Sequence, residues 1–242
     1  MEDQLKIAVC EDTPEDVRKI IEVIEKNPIP TQCTVFKSGE ELLKVFHPHK
    51  YELLLMDIYV GKMTGVEVVQ KIREVDRDLP IAFVTTSTEF TLESYRLSAL
   101  KYIEKPFRKS EIDEILELAW MKHRNAPSLT VRKNRKEIRI PLSKIVYIEQ
   151  KARQLLIHMQ DGSTEEVYDK LSEYLEELEE HDFFDCHKSY AVNLEFVRAI
   201  DQEFRCFVMK NNENVPIRRE SMSKAKKALG EFLYTMTRKK GI

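Results

Sequence analysis

No stretch of this chain approaches the ~20 consecutive apolar residues that span a bilayer, so membrane insertion is not expected. Cysteine is scarce: Cys10, Cys33, Cys186 and Cys206 are its four, and none stands in a CxxC pair. That excludes the usual zinc-site spacing and a disulfide framework, leaving reduced thiols in a cytoplasmic protein as the expectation. A cleavable leader is not expected either, since MEDQLK is acidic and passes straight into a strand-like run. What is present is 242 residues, 42% hydrophobic and 33% charged, the balance of a soluble globular protein. That length favours two domains over one. Charge is unevenly spread: residues 1–127 hold 18 Lys and Arg against 23 Asp and Glu, and residues 128–242 hold 21 against 19. Residues 163–185 are themselves strongly acidic, so the remaining segments of the second half are locally basic. An acidic half joined to one with basic patches points to separate partners.

The first half alternates strand and helix signals. LKIAVC, TVF at 34–36, LLLM at 53–56, IAFV at 81–84 and KYI at 101–103 read as five strands. LLLM is continuous rather than alternating, as in a strand covered on both faces. Between them lie helical patterns: Thr13-Pro14 ahead of Val17, Ile20, Ile21 and Ile24; a Ser38–Glu41 capping box ahead of Leu42, Leu43 and Phe46; Gly65 opening a third helix; and a shorter helix near 89–97. Ser110 is read as the cap of a last helix carrying Ile112, Ile115, Leu116, Ala119 and Trp120. Five such units in about 120 residues describe a doubly wound parallel sheet.

Chemistry gathers at the strand ends. Glu11-Asp12 follows the first strand, Asp57 the third, Thr85 the fourth and Lys105-Pro106 the fifth. In an open α/β sheet these ends share one edge. Three carboxylates suit a hard divalent cation such as Mg²⁺, which takes oxygen ligands and keeps several waters. A carboxylate beside such a cation and an ammonium is also a nucleophile for phosphoryl transfer. Taken singly, each residue has a plainer reading: turn acids, a surface lysine before a proline, a buried hydroxyl, a strand aromatic at Tyr102. All of them in this order is another matter. A haloacid-dehalogenase-type phosphatase needs a second acid two residues after its nucleophile, and Tyr59 stands there instead. That argues against an enzyme turning over phosphate esters.

Over roughly residues 4–123 the pattern resembles the receiver domain of two-component response regulators: the acidic pair, Asp57, Gly65 eight residues on, Thr85, Tyr102 and Lys105-Pro106. The resemblance implies that Asp57 is the phosphoacceptor. It implies that Mg²⁺ is held by Glu11, Asp12, Asp57 and the backbone carbonyl of Tyr59, with Glu11 direct or through water. Thr85, Thr86, Tyr102 and Lys105 become the phosphoryl-sensing set, and the Lys105–Pro106 bond is expected to be cis. The family usually has Ala or Gly where this chain has Thr86, so a bulkier side chain is expected to restrict small phosphodonors.

From 129 the apolar spacing turns strand-like. LTVRK and EIRIP flank Asn134-Arg135, and QLLIHMQ and STEEV flank Asp161-Gly162, both hairpin signals. Further strands are expected at 145–150, 189–193, 197–201, 205–209 and 214–218, with helices only at about 169–180 and 221–236. HRNAPS at 123–128 is read as the linker. FFDCHKSYAVNLEFVRAI at 183–200, with VPIRR at 215–219 and IVYIE at 145–149, resembles the LytTR DNA-binding domain over about 128–237. That resemblance implies a β-sandwich whose loops enter successive major grooves. By position, Arg153, Lys188 and Arg219 face bases, where a cation can donate to guanine. Lys151, Arg218, Ser189 and Lys224 are phosphate contacts. His187 and Asn193 are read as structural, Glu176–Glu180 as a solvated face, and Cys186 as an inert buried thiol despite its place beside the DNA surface.

The expected architecture is therefore two domains. Residues 1–123 form a flavodoxin-like α/β receiver with a five-stranded parallel sheet, 124–128 a linker, and 129–242 a mostly antiparallel LytTR-type β domain with peripheral helices. The expected function is a transcriptional response regulator, not a turnover enzyme. A sensor histidine kinase would phosphorylate Asp57, promoting homodimers on double-stranded promoter DNA. Two alternatives stand beside it: a phosphorylation-independent DNA binder using the receiver as a dimerisation scaffold, or a receiver with a protein-binding output.

Overall fold

Unbroken apolar runs build the centre of the first unit. In the computed structural model, which describes residues 4–87 and 96–240, Leu5–Cys10 (β1), Leu53–Met56 (β3) and Ile81–Thr85 (β4) are buried throughout, apart from Lys6. Such strands need helices on both faces. With Thr31–Phe36 (β2) and Lys101–Glu104 (β5) they make one parallel sheet in the order β2-β1-β3-β4-β5. On one face, Gly39–Val45 (α2) and Gly65–Val75 (α3) bury Leu42, Val68, Val69 and Ile72 against Ala8, Met56 and Phe83. On the other, Pro14–Glu25 (α1) and Lys109–Asn125 (α4) bury Ile20, Ile24, Ile112 and Ile115 against Val9, Leu55 and Val84. The helix expected near 89–97 falls largely on 88–95, outside the described residues.

Helix boundaries follow local chemistry. Thr64 and Glu67 form a reciprocal capping box at the start of α3. Ser38 accepts from the Glu41 amide, but the Glu41 carboxylate reaches past it to the amide of Lys37. Pro14 opens α1 without a side-chain bond from Thr13. The expected cap at Ser110 is corrected: Arg108 is the extended residue before α4, and the Glu111 carboxylate accepts from its backbone N–H at 2.8 Å. A glutamate three positions in can satisfy that amide whatever side chain precedes the helix. The helix also runs on to Asn125, into the expected linker. It stops where Ala126, preceding Pro127, is forced extended (φ −62°, ψ 138°).

The chain divides at this point into two compact units, Met1–Ala126 and Pro127–Ile242. In the second unit Ser128–Lys133 (β6) and Lys136–Pro141 (β7) form a hairpin whose turn residues, Asn134 and Arg135, both have positive φ. A five-stranded sheet follows, from Ile145–Lys151 (β8), Gln154–Met159 (β9), Thr164–Val167 (β10), Phe183–His187 (β11) and Tyr190–Asn193 (β12), in the order β10-β9-β8-β12-β11. Its pairings are antiparallel. One face packs Ile148, Leu155 and Ile157 against Leu129, Val131 and Ile140 of the hairpin and Leu178 of the short helix Leu175–Glu179 (α5). The other packs Tyr147 and Val192 against Phe207, Met209 and Val215. Those residues belong to a second antiparallel sheet, Val197–Asp201 (β13), Cys206–Met209 (β14) and Asn214–Pro216 (β15). Ala225 of Met222–Lys240 (α6) joins the same core.

The helix expected over 169–180 is not continuous. A 3₁₀ turn at Leu171–Glu173 precedes α5. Tertiary bonds take this segment's polar groups: the Leu171 N–H donates to the Gln150 side chain, and the Asp169 carboxylate accepts the Tyr174 hydroxyl. Asn193 holds a second such turn, donating to the carbonyls of Leu142 and Ile145 and accepting from the Glu195 amide. Among the described residues no helix is long and apolar enough to cross a membrane.

Candidate functional site

Parallel pairing in register brings the strand-end residues together. Cys10 lies opposite Met56, so Glu11 and Asp57 leave the sheet side by side, and the Asp57 amide donates to the Cys10 carbonyl at 2.9 Å. Two strands away Thr85 lies opposite Glu104, and the Lys105 amide donates to the Thr85 carbonyl at 2.8 Å. The Lys105–Pro106 bond is cis. Lys105 then crosses the sheet edge, its Nζ 2.8 Å from Asp57 Oδ2 and 2.5 Å from Glu11 Oε2. Its third partner is Asp16 Oδ2 at 3.0 Å. Asp16 went unnoticed in the sequence, where an acid in the first turn of a helix is ordinary dipole chemistry.

One ammonium among three carboxylates is an electrostatic trap. Burial by itself disfavours the charged lysine, but hydrogen bonds to Asp57 and Glu11 outweigh it and raise the Lys105 pKa above its ordinary value. Burial pushes the Glu11 carboxyl up, opposed by the hydrogen bond from Lys105 and by the Thr13 amide on Oε1. Both Glu11 oxygens are therefore engaged. Asp12 is exposed, with a long contact (3.4 Å) from the Thr13 hydroxyl. The Tyr59 amide donates to Asp57 Oδ1 at 3.3 Å, which puts the Tyr59 backbone beside the carboxylate, although the residue as a whole is exposed.

The donor set is all hard oxygen, as Mg²⁺ requires. Among the described residues, however, no three acidic, histidine or cysteine side chains are gathered closely enough to hold a metal. Glu11 is committed to Lys105 and Thr13, and both Asp57 oxygens are engaged as well, Oδ2 by Lys105 and Oδ1 by the Tyr59 amide, which leaves Asp12 the least engaged of the expected donors. In the chemistry of its donors, though not in the closeness of its carboxylates, this all-oxygen set fits a hard cation.

Of the four residues expected to sense the phosphoryl group, Thr85 and Tyr102 meet at Ser87. Thr85 is wholly buried, and its hydroxyl accepts from the Ser87 amide at 3.4 Å. The Tyr102 hydroxyl donates to the Ser87 carbonyl, and its ring lies 6.2 Å from that of Phe83. Thr86 is exposed on a groove of about 640 Å³ that it shares with Asp16, Lys105 and Phe107.

In the second unit, two backbone hydrogen bonds gather three basic segments. The Gln150 amide donates to the Ser189 carbonyl at 2.7 Å, joining the β8–β9 turn, with Lys151 and Arg153, to the β11–β12 turn, with Lys188. The Arg218 amide donates to the Cys186 carbonyl at 2.9 Å, bringing the segment after β15, with Arg219, to the same edge. Lys151, Arg153, Lys188, Arg219 and Lys224 are exposed. Arg218 is not: its guanidinium pairs with Asp185 at 2.9 Å, so this expected phosphate contact is held within the fold. Ser189 is half-buried, and its amide donates to His187 Nδ1 at 3.3 Å, tying His187 to the turn. Cys186 is fully buried, and burial, then the nearby Asp185 charge, pushes its thiol up to about 12. A thiol so suppressed is a poor nucleophile.

Residues 7–117 match the family model of the response regulator receiver domain, and residues 135–230 that of the LytTr DNA-binding domain. The transcriptional regulatory protein YpdB of Escherichia coli strain K12 is 25% identical over 214 residues, covering 83% of this chain and 87% of that protein. The sensory transduction protein LytT of Oceanobacillus iheyensis is 23% identical over 210 residues, covering 83% and 85%. Among solved structures, the response regulatory domain of protein mrkE from Klebsiella pneumoniae is 23% identical, covers 50% of this chain and 98% of that chain, and has a TM-score of 0.46.

Proposed function

This chain belongs to the response regulators that join a receiver domain to a LytTr DNA-binding domain, and from that premise we propose that Asp57 is its phosphoacceptor, charged by a sensor histidine kinase. It is a transcriptional regulator of a two-component system. The observation that carries the site reading is the Lys105 ammonium held 2.8 Å from Asp57 and shared with Glu11 and Asp16.

An Asp57 oxygen attacks phosphorus, an acyl phosphate bond forms, and the P–N bond to the donor imidazole breaks with its electron pair left on nitrogen. Lys105 stays on the acceptor and offsets the charge that develops on the phosphoryl oxygens. Asp12, Asp57 and the Tyr59 carbonyl would hold Mg²⁺, with Glu11 through water, and the cation would supply a second positive charge near the phosphoryl oxygens. The Thr85 hydroxyl leaves the Ser87 amide to donate to a phosphoryl oxygen. Tyr102, whose hydroxyl is bonded to the Ser87 carbonyl, moves inward with this change. With Tyr59 where a second acid would activate water, the acyl phosphate persists and the chain is a switch, not a turnover enzyme. The change at Thr85 and Tyr102 shifts an existing equilibrium toward homodimers, whose basic edges engage repeated sites on duplex DNA.

The test is phosphoryl labelling of the full chain by acetyl phosphate, resolved on a phosphate-affinity gel. Wild type takes up one acid-stable, hydroxylamine-labile phosphoryl group, which is lost in Asp57→Asn and on chelation with EDTA. Label that survives Asp57→Asn at the wild-type rate overturns the assignment. DNA binding that is equal with and without label would instead favour a phosphorylation-independent regulator.

A further inference from the structure

The β8–β9 turn that carries Arg153 is built on an unfavourable backbone. Lys151 pairs with Gln154, so only Ala152 and Arg153 form the loop, and Ala152 has φ 55°. A residue with a β-carbon resists this left-handed conformation, which persists only where its surroundings impose it. One side chain supplies that imposition. Gln150 Nε2 lies 3.0 Å from the Ala152 carbonyl and 3.1 Å from that of Gln154, on the two sides of the turn, and 3.2 Å from that of Asp169. Its Oε1 accepts from the Leu171 amide at 2.7 Å. Two amide hydrogens are shared among three carbonyls. The reversed amide would set an oxygen against all three and a nitrogen against an N–H, so this orientation alone fits. The Gln150 backbone completes the arrangement by donating to Ser189, beside Lys188.

We propose that Gln150 is a positioning residue for base readout: its amide locks the Ala152–Arg153 turn to the segment 169–171 and so fixes where the Arg153 guanidinium meets a base edge. The inference rests on the DNA-binding reading above. A guanidinium reads guanine through two parallel hydrogen bonds of fixed geometry, so an unlocked turn keeps the charge near DNA but loses the alignment. Binding in general should survive while discrimination at particular base pairs fails.

The experiment uses the full-length chain and a duplex selected by wild type from a random-sequence pool. Each position of that duplex is substituted in turn, and affinities are compared for wild type, Arg153→Ala, Gln150→Leu, Gln150→Glu and the double variant Gln150→Leu/Arg153→Ala. The leucine removes both ends of the clamp at similar size; the glutamate keeps the acceptor for Leu171 and removes the donor, so either variant carries the test if the other fails to fold. Positions whose discrimination falls in Arg153→Ala should fall in both Gln150 variants by a similar factor, roughly tenfold for one good arginine contact. The double variant should be no worse than Arg153→Ala. Positions that depend on Lys188 and Arg219, and affinity for unselected duplex, should stay as in wild type. Unchanged discrimination in the Gln150 variants overturns the proposal. So does an even loss at every position, which marks a structural role, and so does full additivity with Arg153→Ala. If Arg153→Ala spares every position, Arg153 is not a reader and the proposal fails. If wild type selects no sequence at all, the DNA-binding reading itself falls and takes this one with it.

Discussion

A β-carbon at position 65 would stand 2.2 Å from the carbonyl oxygen of Asp57 and 2.8 Å from Met56 Cγ. The Gly65 amide donates to the Ile58 carbonyl at 2.7 Å, so the first turn of α3 is drawn against the strand end that bears Asp57. Backbone is the neighbour here, and backbone cannot swing aside. Gly65→Ala should therefore lower the stability of the first unit by about 1–3 kcal/mol, as overpacking does, and displace the Asp57 backbone. Urea denaturation of the full chain should show the earlier transition and acetyl phosphate labelling should slow; an unchanged midpoint would mean that α3 does not lie so close. At this scale much of the site was legible, because Glu11, Asp57 and Lys105 each follow an apolar strand and strand ends converge. Asp16 and Gln150 were not. A first-turn acid and a glutamine in a strand are common residues, and only three-dimensional neighbours give them work.

Hairpin chemistry sets the next scale. The turn between β6 and β7 has positive φ at both residues, 53° at Asn134 and 64° at Arg135, the backbone of a two-residue turn that prefers Asn-Gly. Asn134 tolerates it; the exposed Arg135 does not. A left-handed L-residue costs roughly 1–2 kcal/mol. Glycine returns about 0.5–1 kcal/mol of that through its larger unfolded-state entropy. Arg135→Gly should then stabilise the second unit by about 0.5–1 kcal/mol, read as a melting point raised by a few degrees in calorimetry of the full chain. A lowered melting point would show that the Arg135 side chain contributes more than its backbone costs. The strands were readable because apolar residues and turn residues agree with one another. The helix ends were read less well where long-range bonds intervened. The Asp169 carboxylate accepts the Tyr174 hydroxyl and the Leu171 amide donates to the Gln150 side chain, which breaks up the expected 169–180 helix. Asn125 stays helical because nothing stops the chain before the proline at 127.

For the whole molecule the difficulty is charge. A chain of net charge −3, with −5 in residues 1–127 and +2 in residues 128–242, has to approach a polyanion. The affinity must then come from one local edge, where Lys151, Arg153, Lys188 and Arg219 are exposed, while the acids of Glu176–Glu180 belong to a separate helix end. Binding of that kind releases counterions, and the logarithm of affinity falls with the logarithm of salt at about −0.9 per phosphate neutralised. One copy that neutralises about four phosphates has a slope of roughly −3.6, and two copies on one duplex a slope of roughly −7. Phosphorylation should therefore double the slope on a duplex with two repeats and leave it unchanged on a duplex with one. Asp57→Asn should show the single-copy slope on both. Filter binding across a salt series, with and without phosphodonor, gives the four slopes directly. A stronger affinity at an undoubled slope would mean that phosphorylation acts within a single copy, and the dimer would have to be abandoned. A doubled slope on the single-repeat duplex would mean that the second copy contacts DNA without a repeat of its own.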